Sequence, residues 1–344
     1  MLGGAYPWRN IIKFSVGDLY LLNMASPDEL EPFVIKEVKG FPGSGELLTP
    51  QGQGAYGVVF KVSVKGLPCI AKRVHDILVN QKRVSKEERE SLLKRFRNEC
   101  IILSKLRHPN VVHFVGVHYG TDKSDISLIM ESLHCDLGEF VETRPNLPLP
   151  VKLSVLLDIS YGLLYLHSQT PQIIHRDLSI QNVLMTVDGQ AKIADLGVAK
   201  LLDPRTQAAI AHTRNPGNYF YMPPEAQYEH AECTTKVDIF SFGHLSLYVV
   251  NQEAPRVFEV PLTPEVQKEG RHQTQRRRSD LERIGQDHCL RLLITKCLQD
   301  HPEERPTTCE LNRRLKELCT EHPKKVQHIV RACKVRHCTS TSLN

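Results

Sequence analysis

The sequence predicts an α+β fold with a β-rich first part and a mainly helical second part. Three observations predict it: a glycine cluster that runs into strand-like segments up to Val74, one apolar-striped helical stretch over residues 82–106, and leucines at helical spacing beyond residue 150.

Residues 1–44 mix Gly, Pro and short apolar patches. They lead into Gly40-Phe41-Pro42-Gly43-Ser44-Gly45, a cluster of helix and strand breakers that reads as a linker. A folded domain is expected over 45–320, followed by a basic tail over 321–344. Val58, Val59, Phe60, Val62 and Val64 form a β-rich run, Gly66-Leu67-Pro68 supplies a turn, and Cys69 to Val74 forms a second run, so antiparallel strands are expected. In the helix over 82–106, Leu92, Phe96, Leu103 and Leu106 make the stripe, and Glu99 falls in its middle. A carboxylate buried there needs a cationic partner, because leaving it unpaired costs several kcal/mol.

Strands are expected over Val111–Val117 and Ile126–Met130. A long helix follows, with Leu153, Leu156, Leu157, Leu164 and Leu166 on it and its end near His167; another covers 236–250. The tail carries Lys324, Lys325, Arg331, Lys334 and Arg336, with Val326, Ile329, Val330 and Cys333 at helical spacing. It reads as a last helix with a solvated basic face rather than a membrane or partner helix.

Composition excludes several classes. Over 344 residues, 41% hydrophobic and 24% charged is ordinary globular usage, which rules out collagen-like and wholly disordered chains. The net charge of +5 is too small and dispersed to mark a nucleic-acid binder, and the run Arg276-Arg277-Arg278 reads as a solvated face or a peptide-docking patch, so no nucleic-acid partner is expected. Ten cysteines without a Cys-x-x-Cys pair point to a reducing compartment. No apolar run approaches the ~18 residues of a membrane helix. Arg9, Asn10, Lys13 and Asp18 interrupt the start as a secretory signal would not be interrupted, so a cytoplasmic protein without a membrane span is expected.

Three motifs carry chemistry. Gly52-Gln53-Gly54-Ala55-Tyr56-Gly57-Val58-Val59 lies between strand-like runs, and because strand rather than helix follows Gly57, it suits a strand-turn-strand flap over phosphates. Lys72 lies in the next strand, with Ile70 and Val74 on its face by the two-residue period; a buried ammonium there and the buried Glu99 explain one another. His175-Arg176-Asp177-Leu178-Ser179-Ile180-Gln181-Asn182-Val183-Leu184 follows the long helix and leads into a hairpin, Val183–Met185 and Ala191–Ile193, turned by Asp188-Gly189. Ala194-Asp195-Leu196-Gly197 comes directly after it. Phosphoryl transfer needs oxygen ligands for Mg²⁺ and a carboxylate to take the proton of the attacking hydroxyl; Asn182 and Asp195 suit the first role and Asp177 the second.

Taken together these segments resemble the protein kinase superfamily over residues 46–320, and most of all the tyrosine-kinase-like group of serine/threonine kinases. The resemblance implies a bilobal fold: a β-rich N-lobe over 45–130 with one regulatory helix, a hinge over 131–134 and a mainly helical C-lobe over 135–320. It implies Mg-ATP, a protein substrate, and catalytic roles for Lys72, Glu99, Arg176, Asp177, Asn182 and Asp195. Gly52, Gln53, Gly54, Ala55, Tyr56 and Gly57 would cover the phosphates, with Lys72 on the α and β phosphates. Val59, Ala71 and Leu184 would sandwich adenine; Met130 would be the gatekeeper, Glu131 and Leu133 the hinge, and Asp136 the ribose contact.

Leu103, Phe114, His175 and Leu196 would form the regulatory spine, with Leu196 where most kinases have Phe. Met222-Pro223-Pro224-Glu225 would close the activation segment, Arg305 would pair with Glu225, and Asp238 to Gly243 would tie down the catalytic loop. An activating kinase acting on Thr213 or Thr206 is expected, and Cys135 at the mouth of the nucleotide site is a candidate for alkylation. Ser179 replaces the lysine of many serine/threonine kinases and Asn218 the usual threonine, so a tyrosine or dual-specificity kinase and a nucleotide-binding pseudokinase stay open beside a serine/threonine kinase.

Overall fold

The computed structural model describes residues 27–40, 52–54, 57–74, 85–120, 125–202, 209–210, 221–227, 232–253, 279–285 and 288–322. They fall into two compact units, one holding residues up to 108 with 113–132 and 168–173, the other holding 109–112, 133–167 and the chain from 174 onward.

The first unit is built on an antiparallel sheet of β1 (Gly52–Gly54), β2 (Gly57–Val64), β3 (Leu67–Val74), β4 (Phe114–Tyr119) and β5 (Ile126–Glu131), in the order β1-β2-β3-β5-β4. The β2–β3 hairpin closes at the pair Val64 and Leu67. Its turn is therefore Lys65-Gly66, one residue earlier than Gly66-Leu67-Pro68. Lys65 and Gly66 both take positive φ, 49° and 84°, the backbone of a two-residue turn that matches strand twist. One helix, α1 (Lys86–Lys105), packs on the sheet through β3 and β4.

One sheet face is filled by Val62, Val64, Cys69, Ala71 and Ile129, with Ile35, Val38, Phe60 and Val115 packed against them. Ile35 and Val38 belong to the N-terminal extension. Part of that extension is thus packed on the unit: a 3-10 turn over Pro27–Phe33 lies against α1 and β4, and Leu30 is fully buried. Composition hid this, because the anchoring residues are few and spaced among Pro, Glu and Lys.

The second unit contains α2 (Leu137–Glu142), α3 (Leu149–His167), α4 (Lys236–Asn251), α5 (Arg291–Cys297) and α6 (Thr308–Glu321). Its three-stranded sheet joins β6 (Cys135–Asp136), β8 (Val183–Met185) and β9 (Ala191–Ile193) in the order β6-β8-β9; β7 (Ile173–Ile174) and β10 (Lys200–Leu201) are short strands outside it. A further ladder pairs β11 (Ala209–Ile210) with β12 (Glu232–Cys233). The β8–β9 hairpin turns at Asp188-Gly189 as expected, with Gly189 at φ 81°.

Helix α3 is the spine of this unit, packed on α6, β9 and α4. Its 19 residues would be long and apolar enough to cross a membrane by length and composition alone, but half of its most apolar window is buried within the unit. Lys152 and Asp158 are its only formally charged residues besides the terminal His167. Helix α6 starts with a reciprocal cap: Thr307 Oγ1 accepts from the Glu310 N–H, and the Glu310 carboxylate accepts from the Thr307 N–H. The basic tail beyond residue 322 and Arg276-Arg277-Arg278 lie outside the described residues.

Candidate active site

In the first unit, Lys72 on β3 and Glu99 on α1 meet. The ammonium donates to both carboxylate oxygens, at 2.9 and 3.0 Å, and Glu99 is 2% exposed. The stripe of α1 that seals this carboxylate also holds the neighbouring Cys100 thiol, whose pKa is pushed well up by burial and then by the Glu99 charge.

Gly52 pairs with Val59 and Gly54 with Gly57, so the glycine motif is a β hairpin and not the start of a helix. Ala55 and Tyr56, and the side chain of Gln53, lie outside what is described. Val59 is the pairing partner of Lys72, and Lys72 is that of Leu128. Because side chains alternate along a strand, Ile70 shares the face of Lys72, and its partner is Met130. Ala71 must then point the other way, and it does: it is fully buried among Val62, Val64, Cys69 and Ile129. The expected place of Ala71 beside Lys72 is therefore not met: Ala71 lies on the core face, and Ile70, two residues before the lysine, is the one that shares the face of Lys72. Glu131 lies at the end of β5, where its N–H donates to the His113 carbonyl at 3.1 Å and its carboxylate accepts the His113 N–H at 2.7 Å.

In the second unit, the loop His175–Asn182 is held from below by Asp238 at the start of α4. Its carboxylate accepts the backbone N–H groups of His175 and Arg176, each at 2.8 Å, and the His167 Nε2–H at 2.8 Å. His167 in turn bonds Thr308 Oγ1 through Nδ1 at 2.6 Å. Asp238 is fully buried, which alone raises its pKa. The His167 hydrogen bond and charge, with His175 and the Arg176 N–H, outweigh that and hold it below the ordinary carboxylate value. Sequence reading placed Asp238 as the tie but missed His167, a polar residue closing an apolar helix.

On the loop itself, His175 Nδ1 accepts the Asp177 N–H at 3.2 Å, so its Nε2 carries the hydrogen donated to the Ala194 carbonyl at 2.8 Å. Asn182 Nδ2 donates to both the carbonyl and the carboxylate of Asp177, at 2.7 and 3.0 Å. The Ala194 N–H donates to the Asn182 carbonyl at 2.9 Å, which brings Asp195 to the same place. Arg176 and Asp195 take left-handed φ values of 69° and 58°, costly for non-glycine residues and concentrated at functional sites.

Among the described residues no three His, Cys, Asp or Glu side chains cluster to hold a metal. A site for Mg²⁺ still fits the donors present. It needs only one or two protein oxygens when phosphates complete the shell, and Asn182, its amide nitrogen held by Asp177, and Asp195 supply a carbonyl and a carboxylate oxygen.

Leu184 alternates with the fully buried Val183 and Met185, so it lies on the opposite face of the β6–β8–β9 sheet; Leu133 is half-buried. Asp136 has a role that sequence reading missed: its Oδ1 caps α2 by accepting the Glu139 N–H at 2.8 Å. Cys135, far from being activated, has its thiol pushed up to about 11 by burial and by Glu139. Leu103, Phe114, His175 and Leu196 are each buried in their own unit. Glu225 and Arg305 form a two-pronged ion pair at 2.5 and 2.9 Å, with the guanidinium fully buried over the Phe240 ring. Thr206, Thr213 and Asn218 lie outside the described residues.

The family model for protein tyrosine and serine/threonine kinases matches residues 46–315. The chain is 31% identical over 272 residues to the serine/threonine-protein kinase VIK of Arabidopsis thaliana, a match covering 78% of this chain and 58% of that one. It is 29% identical over 315 residues to the dual specificity protein kinase shkE of Dictyostelium discoideum, covering 86% and 39%. With the serine/threonine-protein kinase 12 of Arabidopsis thaliana it shares 29% over 256 residues, covering 74% and 52%. The chain thus spans from 39% to 58% of the length of these relatives. A paired Lys72 and Glu99, a loop that joins Asp177 to Asn182 and Asp195, and a family match over most of the sequence lead to one conclusion: the chain belongs to the protein tyrosine and serine/threonine kinase family.

Proposed function

We propose that the chain transfers the γ-phosphoryl group of Mg-ATP to serine or threonine hydroxyls of proteins, with Asp177 as the base. The observation that carries this reading is the double donation of the Asn182 amide to Asp177, which leaves one carboxylate oxygen of Asp177 fixed and orients the base. Lys72, held by Glu99, would neutralise the α and β phosphates. Asn182 and Asp195 would hold Mg²⁺, which when bound offsets charge on the phosphate oxygens. Asp177 would take the proton of the incoming hydroxyl, and a phosphate on the activation segment would pair with Arg176.

The names of two relatives support a serine/threonine acceptor, and a third, a dual-specificity kinase, supports a broader one. Ser179 favours the broader reading, since it puts a buried hydroxyl where many serine/threonine kinases carry a lysine. We further propose control by an activating kinase at Thr213 or Thr206, no nucleic-acid partner, and a cytoplasmic setting; the eight described cysteines are free thiols, in keeping with a reducing compartment.

The test is phosphate transfer from Mg-ATP by the purified chain and by Asp177→Asn, followed by phosphoamino-acid analysis. Phosphoserine or phosphothreonine made by the parent alone is the expected result. Phosphotyrosine alone would overturn the acceptor, and nucleotide binding without transfer, even after treatment with activating kinases, would leave a pseudokinase.

A further inference from the structure

The N-terminal segment over residues 27–39 touches the two elements that carry Lys72 and Glu99. Its first part, the 3-10 turn Pro27–Phe33, lies on α1, the helix of Glu99, with Leu30 fully buried. Phe33 then meets Phe114 of β4 edge to face, ring centres 5.5 Å apart.

Val34 forms a parallel bridge to Val117 on the free edge of β4. The Ile35 N–H donates to the Val117 carbonyl at 2.8 Å, and its carbonyl accepts from His118 Nδ1 at 2.9 Å. Ile35 and Val38 next cross the sheet face that contains Cys69 and Ala71 of β3, the strand of Lys72. Lys39 finally exchanges two backbone hydrogen bonds with Ser63 of β2, at 3.0 and 2.8 Å. The segment is a strap anchored at three places.

Gly116 is the notch that seats it. A Cβ at that position would lie 2.6 Å from the Ile35 δ-methyl and 2.7 Å from the Phe33 carbonyl oxygen, and the second of these is backbone and cannot swing aside. Nothing in the φ of Gly116 demands glycine; the close approach of the strap does.

We propose that this strap is a positioning element for phosphoryl transfer: it holds α1 against the sheet so that Glu99 stays on Lys72. The proposal rests on the kinase reading for its catalytic consequence, but its mechanical part does not. Releasing the strap leaves Leu30, Phe33, Ile35 and Val38 without their partners and frees α1 to shift away from β3, which breaks the ion pair without touching either of its members.

The test uses the full chain with Gly116→Ala, Leu30→Ala, Phe33→Ala and the conservative Phe33→Leu. Amide exchange in α1 is expected to rise roughly tenfold in the first three, well beyond any rise in the β2–β3 hairpin that the strap also touches, with exchange in α6 unchanged. The turnover number should fall by about the same factor while KM for the protein substrate stays put, and Phe33→Leu should restore most of both. Unchanged α1 exchange, or a uniform rise across the unit that includes the β2–β3 hairpin, would overturn the proposal. If the parent transfers no phosphate, the kinase reading falls on its own, and α1 exchange still decides for or against the strap.

Discussion

Ile70 and Ala71 are neighbours in sequence with opposite duties. Ile70 shares the face of Lys72, whereas Ala71 is enclosed by Val62, Val64, Cys69 and Ile129. Replacing Ile70 by Ala should therefore change KM for ATP with little change in melting temperature. Replacing Ala71 by Leu should do the reverse, overpacking the core at a cost of about 1–3 kcal/mol in chemical denaturation. A change in ATP affinity confined to the Ala71 variant would refute the assignment.

Asp158 offers a second test at this scale. It sits on α3 with its Oδ2 accepting the Ala191 N–H at 3.0 Å, and burial raises its pKa to about 6, only partly opposed by that bond and by Asn110. The folded state therefore holds the proton more tightly than the unfolded chain. Stability should decline as pH rises from the ordinary carboxylate value through 6, by on the order of 3 kcal/mol at most, and level off above. Asp158→Asn should flatten that slope in denaturant titrations at several pH values; an unchanged profile would rule Asp158 out as its source.

Among the elements, α6 is the easiest to perturb at one end, and sequence reading passed over it although Thr307 and Glu310 stand at capping-box spacing. Its capping box satisfies the Glu310 and Thr307 N–H groups reciprocally, so Thr307→Ala should lower stability by about 1 kcal/mol without altering catalysis. Glu310 is held below the ordinary carboxylate value chiefly by the Thr307 hydrogen bonds, and the cap should weaken as pH falls through that lowered pKa. Other elements show what local pattern can and cannot reveal. The β8–β9 hairpin was readable because Asp188-Gly189 is a strong turn signal flanked by alternating residues. The β2–β3 turn slipped by one residue because Lys65 adopts a left-handed backbone that lysine seldom takes.

For the molecule as a whole, the chemistry was more legible than the support beneath it. Lys72 with Glu99 and Asp177 with Asn182 could be paired from the sequence because a charge on an apolar stripe, or a fixed spacing on a loop, has few explanations. The N-terminal strap could not, since its few apolar anchors, Leu30, Phe33, Ile35 and Val38, have no regular period and the rest of its seating rests on backbone groups and on the absence of a side chain at Gly116. His167 and Thr308 likewise meet only through the fold, 141 positions apart.

The ion pair of Glu225 and Arg305 shows the same long reach, spanning 80 positions within the second unit. Arg305 also donates to the carbonyls of Lys236, Gln299 and Asp300, so one buried guanidinium joins the end of the activation segment to α4 and to the loop before α6. Glu225→Gln should cost about 3–5 kcal/mol of stability by leaving that charge unpaired, and Arg305→Met with Glu225→Gln should recover much of it. A double variant no more stable than the single one would argue that the carbonyl contacts, rather than the charge pair, are decisive.

The Lys65-Gly66 turn has a practical side. Its backbone suits asparagine better than lysine, and it stands at the far end of a hairpin whose other end carries Lys72 and Val59. Substituting asparagine there relieves local strain at a distance from the chemistry. An engineer seeking a hardier form of this chain for crystallisation or screening can begin at that tip and leave the face of Lys72 untouched.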